Sequence, residues 1–260
     1  MATFPKRNPD APAGFFEAEA AGLAWLAEAE SEGGVRIARV KRVAPGLIEL
    51  EQIAETRPTE HAARAFGAAL ARTHDAGAAA FGSPPDGYDG PSFIGRRPLT
   101  SARQTRWGRF YARDRVLPYL RVAVEAGTVT ESEDRVIRAA CERIANGDFD
   151  DSEAPARLHG DLWNGNVLWS ADGVVLIDPA AHGGHRETDL AMLALFGCPY
   201  LDSVLAAYDA AARENGVPLR EGWRDRVPMH QLHPLAVHAA GHGRSYGVAL
   251  AEAAEQTLRL

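Results

Sequence analysis

Between residues 158 and 178 the chain reads LHGDLWNGNVLWSADGVVLID, and no other segment limits the possible folds as strongly. Two short apolar runs, 167–169 and 174–177, flank Ser170-Ala171-Asp172-Gly173. Apolar runs joined across Asp-Gly read as a β-hairpin. A hairpin brings the chain back to where it started. Asn166, just ahead of the first strand, and Asp178, just after the second, should therefore lie side by side, with Asp161 on the same rim. Two carboxylates and an amide make a poor core, because unpaired carboxylates are costly to desolvate. As oxygen donors on one rim they suit Mg²⁺, which commonly shares its ligands with substrate phosphates.

Around this segment the pattern is mixed and mostly helical. Phe16, Ala20, Leu23 and Ala27 recur at helical spacing, which predicts a helix over 13–31. Residues 35–43 and 47–51 read as two strands separated by Pro45-Gly46. A helix follows from about Pro58 to about Asp75, then a loop over 83–92. Long helical patterns cover 102–126 and 131–145, and a loop spans 146–155. From about Glu187 the chain reads as helices broken near 197–199 and 216–218. The implied organisation is a small mixed lobe over 1–52 and a larger, mostly helical lobe over 53–260.

Asp161 and Asn166 stand at the Asp-x-x-x-x-Asn spacing of a kinase catalytic loop, where the aspartate takes the proton of the attacking hydroxyl and the asparagine binds metal. The metal-binding aspartate expected beyond a hairpin is Asp178, in Ile177-Asp178-Pro179. The whole segment 158–197, with Leu162-Trp163-Asn164-Gly165-Asn166 and Arg186-Glu187-Thr188-Asp189-Leu190-Ala191-Met192-Leu193, resembles the signature of the fructosamine (ketosamine) kinase family. The resemblance extends through 91–99, 107–120 and 229–247. It implies a protein-kinase-like α+β bilobal fold, with a reduced N-terminal lobe that binds nucleotide and a C-terminal lobe that holds the catalytic and substrate groups. It also implies ATP-dependent phosphorylation of a sugar hydroxyl on a ketosamine, as deglycation repair. Asp161 would be the base, Asn166 and Asp178 the Mg²⁺ ligands, and Asp189 a brace for the catalytic loop.

The stretch 4-FPKRN-8 and the helix after it resemble the family's nucleotide lysine and its glutamate partner. Glu19 falls within the apolar stripe of that helix and Glu17 falls off it, so the pair implied is Lys6–Glu19. Residues Glu51, Gln52 and Ile53 resemble the hinge, whose backbone groups would bond the adenine edge of ATP. Only five residues precede Lys6, whereas the resemblance implies a Gly-rich hairpin there. The expectation is that the sequence begins late, that an extension encoded upstream carries the hairpin, and that the chain as written binds ATP–Mg²⁺ weakly. The competing readings are a kinase of the aminoglycoside phosphotransferase type and a pseudokinase with impaired ATP binding.

Trp163, inside the catalytic loop, and His182, after the metal loop, are candidate substrate contacts; His185 is another of the same kind. His238 and His242 share an i, i+4 spacing, but with no carboxylate or cysteine at ligand spacing His230, His233, His238 and His242 read as structural. His74 reads as a packing or hydrogen-bonding group near the catalytic loop. Trp107, Phe110 and Tyr111 read as the core of a long helix. The net charge of −7 argues against a nucleic-acid partner. No apolar run approaches the length that spans a bilayer, no secretion signal opens the chain, and two cysteines are too few for a disulfide framework. The expected setting is cytoplasmic, and the expected partner is a small-molecule or glycated-amine substrate.

Overall fold

The computed structural model describes residues 2–260. It begins with strand β1 (Thr3–Arg7) and helix α1 (Phe15–Ala27), which a short 3₁₀ turn over Glu28–Glu32 extends. Of the stripe expected on α1, Phe16 and Leu23 are buried and Ala20 and Ala27 partly so, and Glu19 and Leu26 also face inward. The run expected as one strand over 35–43 divides into β2 (Arg36–Ile37) and β3 (Val40–Ala44), followed by β4 (Leu47–Glu51). β1, β4 and β3 form an antiparallel sheet in that order, with Lys6 opposite Ile48. β2 instead pairs in parallel with a strand of the central hairpin, described below.

Helix α2 (Glu60–Asp75) starts at Thr59, whose hydroxyl accepts the Ala62 amide, a standard N-cap. A small hairpin then follows, β5 (Ser92–Ile94) and β6 (Arg97–Leu99). The long helix expected over 102–126 is three consecutive pieces: α3 (Trp107–Phe110), a π-helical stretch over Tyr111–Val116, and α4 (Leu117–Glu125). Helix α5 (Glu131–Asn146) opens with a complete capping box between Thr130 and Glu133. Trp107, Phe110 and Tyr111 are buried as expected.

Strand β7 (Ala156–Leu158) leads into the catalytic-loop segment. The hairpin that follows is β8 (Val167–Ser170) and β9 (Gly173–Leu176), closed by a hydrogen bond from the Ile177 amide to the Asn166 carbonyl at 3.2 Å. β10 (His182–Gly184) pairs back onto β7. The chain ends in α6 (Arg186–Phe196), α7 (Leu201–Glu214), α8 (Val227–His242) and α9 (Arg244–Thr257). One hydrophobic core joins α1, the first strands, α2, the β8–β9 hairpin, α6 and α7. A second fills the space among α3 to α5, α8 and α9. The first core is continuous from residue 16 to residue 223, so the small lobe is packed onto the central hairpin and not merely tethered to the larger one. No helix among the described residues is long and apolar enough to cross a membrane.

Candidate active site

The central hairpin brings its two ends together. Asn166 donates from Nδ2 to the Asp161 carbonyl at 2.8 Å, to the Asp161 carboxylate at 3.2 Å and to the Asp178 carbonyl at 3.4 Å. With its nitrogen turned to those acceptors, the Asn166 amide oxygen remains as a free donor atom for a cation. Asp178 has φ +54°, a left-handed conformation that aspartate tolerates better than most residues. This turn puts its carboxylate, 41% exposed, on the rim instead of continuing the strand.

From the other lobe, Lys6 Nζ reaches Glu19 at 2.6 Å and also meets the Asp178 carboxylate. The approach depends on Gly22. A Cβ there would lie 3.1 Å from Ala181 and 3.2 Å from Pro179, so its absence lets α1 settle directly on the segment after Asp178. Burial raises the Glu19 carboxyl to about 7 despite Lys6. The Asp161 carboxyl is also pushed up to about 7, chiefly by burial, with Asp178 and Asp189 adding to the effect and Asn166 opposing it.

Behind the rim, the buried Asp189 accepts the amides of His159 at 2.7 Å and Gly160 at 3.0 Å and contacts His74 Nε2 at 3.2 Å. Burial works against its ionised form, but these hydrogen bonds and the neighbouring imidazoles outweigh it and lower its pKa. His74 is anchored in turn by Tyr208 at 2.8 Å. His159 Nε2 lies 2.9 Å from the Ile177 carbonyl, which joins the catalytic loop to the end of β9. Gly160 has φ +78°, and a Cβ there would sit 2.2 Å from the Ala180 carbonyl oxygen. Only glycine allows this turn.

Two cavities, each of about 340 Å³, meet at this rim. One lies between the lobes and is lined by Leu50, Glu51, Gln52, Ile53 and Leu168. The other is lined by Phe15, Tyr88, Phe93, Trp163, Asn166 and Asp161. Lys6 and Asp178 line both. In the inter-lobe cavity the Glu51 side chain is tied to Arg36 Nη2 at 2.9 Å and the Arg39 amide at 3.0 Å. The Gln52 amide donates to the Ala2 carbonyl at 3.1 Å, so Gln52 N–H is not free for a base edge.

Trp163, expected as a substrate contact, is 41% exposed and lines the second cavity. Its ring lies over Gly165, where a Cβ would come within 2.3 Å of it. His182 does not join it. That side chain is buried, with Nδ1 2.7 Å from the Ala180 carbonyl and Nε2 3.4 Å from Arg115 Nε, and it lines neither cavity. Burial and the adjacent guanidinium depress its pKa to about 3, which makes it a neutral support for the loop. His185 is also buried, beside Asp151 at 3.3 Å. His230 has no carboxylate at ligand spacing along the chain, but the fold supplies Glu187 at 3.2 Å, grouped with His185. Arg226 holds both oxygens of that carboxylate, so the group is an ion-pair network already containing its cation. His233 and His238 each bond a backbone carbonyl.

One group escaped the sequence reading. Tyr88 and Phe93 complete the second cavity from the loop and hairpin after α2, and Phe15 meets Phe93 with ring centroids 5.4 Å apart. Their aromatic character was visible in the sequence, but the cross-lobe approach depends on Gly14, where a Cβ would come 2.7 Å from Pro91.

With this geometry in place, comparison with known proteins is decisive. The family model described as fructosamine kinase matches residues 2–260. The chain belongs to the fructosamine kinase family. It is 32% identical over 250 residues to a probable ketoamine kinase of Enterococcus faecium, covering 95% of this chain and 84% of that protein. A candidate fructosamine-3-kinase from Thermobifida fusca superposes with a TM-score of 0.90 at 45% identity, covering 99% of this chain and 86% of that one. An aminoglycoside phosphotransferase solved with ADP and hygromycin B shares the fold at a TM-score of 0.57 and 12% identity, covering 93% of this chain and 82% of its own. The protein-kinase-like α+β architecture expected from the catalytic segment is thus the observed one, and the family is one of phosphate-transferring kinases.

Proposed function

We propose that this chain transfers the γ-phosphoryl group of ATP to a sugar hydroxyl of a ketoamine, which destabilises the adduct towards later release of the amine and so serves deglycation. The observation that carries the reading is the meeting of two cavities at Lys6 and Asp178. One cavity has the hinge residues as its wall, and the other has an aromatic wall beside Asp161. Nucleotide in the first and acceptor in the second would place donor phosphate and attacking hydroxyl on opposite sides of one rim.

In this reading Lys6, held by Glu19, contacts the nucleotide phosphates, and the Glu51 carbonyl and the Ile53 backbone face the base, the Glu51 amide being bonded to the Arg39 carbonyl at 2.9 Å. Gln52, with its amide bonded to Ala2, contributes its carbonyl or side chain. Asp161 accepts the proton of the acceptor hydroxyl as that oxygen forms a bond to the γ-phosphorus. The bond from phosphorus to the β-phosphate oxygen breaks, and ADP leaves with that electron pair. The hard oxygen donors of Asn166 and Asp178 fit Mg²⁺, which when bound neutralises charge on the phosphates. Asp178 would hold the ion in place of its Lys6 contact. Trp163, with Phe93 and Tyr88, offers flat apolar faces to the sugar and the alkyl part of the adduct.

The test is phosphate transfer from ATP–Mg²⁺ to a panel of ketoamines and aminoglycosides, with Asp161→Asn as control. Transfer to ketoamines, with turnover lost in Asp161→Asn and nucleotide affinity nearly intact, is the expected result. Transfer confined to aminoglycosides, or undiminished activity in the variant, would overturn the assignment.

A further inference from the structure

The β5–β6 hairpin ends in a two-residue tip, Gly95-Arg96, because Ile94 pairs with Arg97. Its base is held from several directions. Ile94 and Leu99 are buried in the second core. The Pro98 carbonyl accepts the Tyr119 hydroxyl at 2.7 Å, and the Thr100 carbonyl accepts Arg115 Nη1 at 2.8 Å. Arg97 is spent on α8, where its Nη2 donates to the Ala240 carbonyl at 2.5 Å. The tip itself is open. Gly95 lines the acceptor cavity together with Asp161 and Lys6. Arg96 is exposed, and among the described residues no carboxylate or carbonyl accepts its guanidinium.

We propose that Arg96 is a further catalytic residue, whose guanidinium donates hydrogen bonds to the equatorial oxygens of the γ-phosphoryl group as it moves. The inference rests on the ketoamine kinase reading above. Charge is the first argument. Among the described residues Lys6 is the one cation lining the two cavities, against Glu19, Glu51, Glu55, Asp161 and Asp178. Lys6 is itself shared between Glu19 and Asp178. Phosphoryl transfer spreads negative charge over three equatorial oxygens, and its catalysis is almost entirely positioning and neutralisation of that charge. A second cation at the rim meets that need. Geometry agrees. The tip and Asp161 are walls of one cavity of about 340 Å³, so a long side chain beside Gly95 reaches the oxygens next to Asp161. Gly95 has φ +52°, and a Cβ there would meet nothing within 4 Å, which leaves Arg96 room to swing inward. The planar fork of arginine matches two phosphate oxygens at once. Arg96 gives up no proton in the step: the acceptor oxygen bonds to phosphorus, ADP leaves, and the guanidinium only binds the charge.

The experiment compares the parent, Arg96→Ala and Arg96→Lys, with the ketoamine that the parent phosphorylates best as acceptor. It measures kcat, both KM values, and the affinity for ATP against that for ADP with aluminium fluoride, a mimic of the moving phosphoryl group. In Arg96→Ala kcat should fall by about a hundredfold, the scale of one lost donor to transition-state charge. Both KM values and ATP affinity should stay near the parent's, while affinity for the mimic falls with kcat. Arg96→Lys keeps the charge without the fork and should recover part of the loss. Arg96 is exposed at a hairpin tip, so thermal unfolding should be the same in all three proteins. Parent kcat in Arg96→Ala, a rise in acceptor KM alone, or equal losses of affinity for ATP and the mimic would each overturn the assignment. A parent that phosphorylates no ketoamine would instead overturn the functional reading beneath it.

Discussion

The Arg157 guanidinium lies over the Trp25 ring, 4.4 Å from its centroid, and so joins the strand that enters the catalytic loop to the last turn of α1. The same guanidinium donates to the Trp25 and Gly77 carbonyls and pairs with Glu28 at 2.9 Å. Glu19 rides on this helix, so its distance from Lys6 depends on where α1 is held. The same indole donates from Nε1 to Asp86 at 3.1 Å. Helix α1 is thus fixed from two directions by residues outside its own lobe.

Arg157→Ala should therefore lower stability by about 2–3 kcal/mol, from lost hydrogen bonds to buried carbonyls and a lost cation–π contact. Chemical denaturation would measure this. Activity should fall beyond what the unfolded fraction explains, because Glu19 loses its register with Lys6. A variant that retains parent kcat under fully folding conditions would show that Arg157 serves stability alone.

Asp189→Ala should be more damaging. The carboxylate accepts the buried amides of His159 and Gly160 and meets His74. Its removal leaves two amide donors without partners, each costing about 1–3 kcal/mol. Hydrogen exchange at His159 and Gly160 would reveal the loss directly, as protection that falls well before global unfolding.

Much of this rim could be read from residue types, because a local hairpin sets it. The apolar runs and Asp-Gly placed Asn166 beside Asp178, and helical spacing put Glu19 inward. What could not be read depends on partners distant in the chain. Three-residue β7 and β10 carry no usable period, and their approach depends on Gly184, where a Cβ would lie 2.4 Å from the Leu158 side chain of β7. The parallel pairing of Arg36–Ile37 with β9 spans about half the chain. The π-helical stretch at 111–116 has an ordinary helical pattern, so periodicity could not separate it from α-helix. His182 was misplaced for a related reason. Its neighbours in sequence are rim residues, but strand pairing opposite Leu158 turns it into the interior.

Gly160→Ala tests how tightly the catalytic loop is packed. The new methyl would meet backbone oxygen at 2.2 Å with φ at +78°, so neither a rotamer change nor a small shift relieves it. A loss above about 2 kcal/mol in thermal or chemical unfolding is expected, together with a steep fall in kcat. A fully stable, active variant would mean that the loop can adopt a different turn.

Asp161 links activity and stability through one proton. Its carboxyl is raised from 3.8 to about 7, so the base proposed above would be mainly ionised only beyond that pH. Because kcat/KM reports the groups of the free enzyme, it should reflect this as a rise with pH that levels off above about 7. For stability the sign is opposite. A carboxyl whose folded pKa exceeds its unfolded value contributes stability that is full below the unfolded pKa and is lost as pH rises through the folded one. At pH 8 the parent thus carries a buried charge that Asp161→Asn removes. The variant should be inactive yet more stable than the parent by about 1–3 kcal/mol at pH 8, an advantage that shrinks towards pH 4. Denaturation curves for both proteins at the two pH values decide the matter, since an advantage that does not shrink would place its source elsewhere than in the ionisation of Asp161.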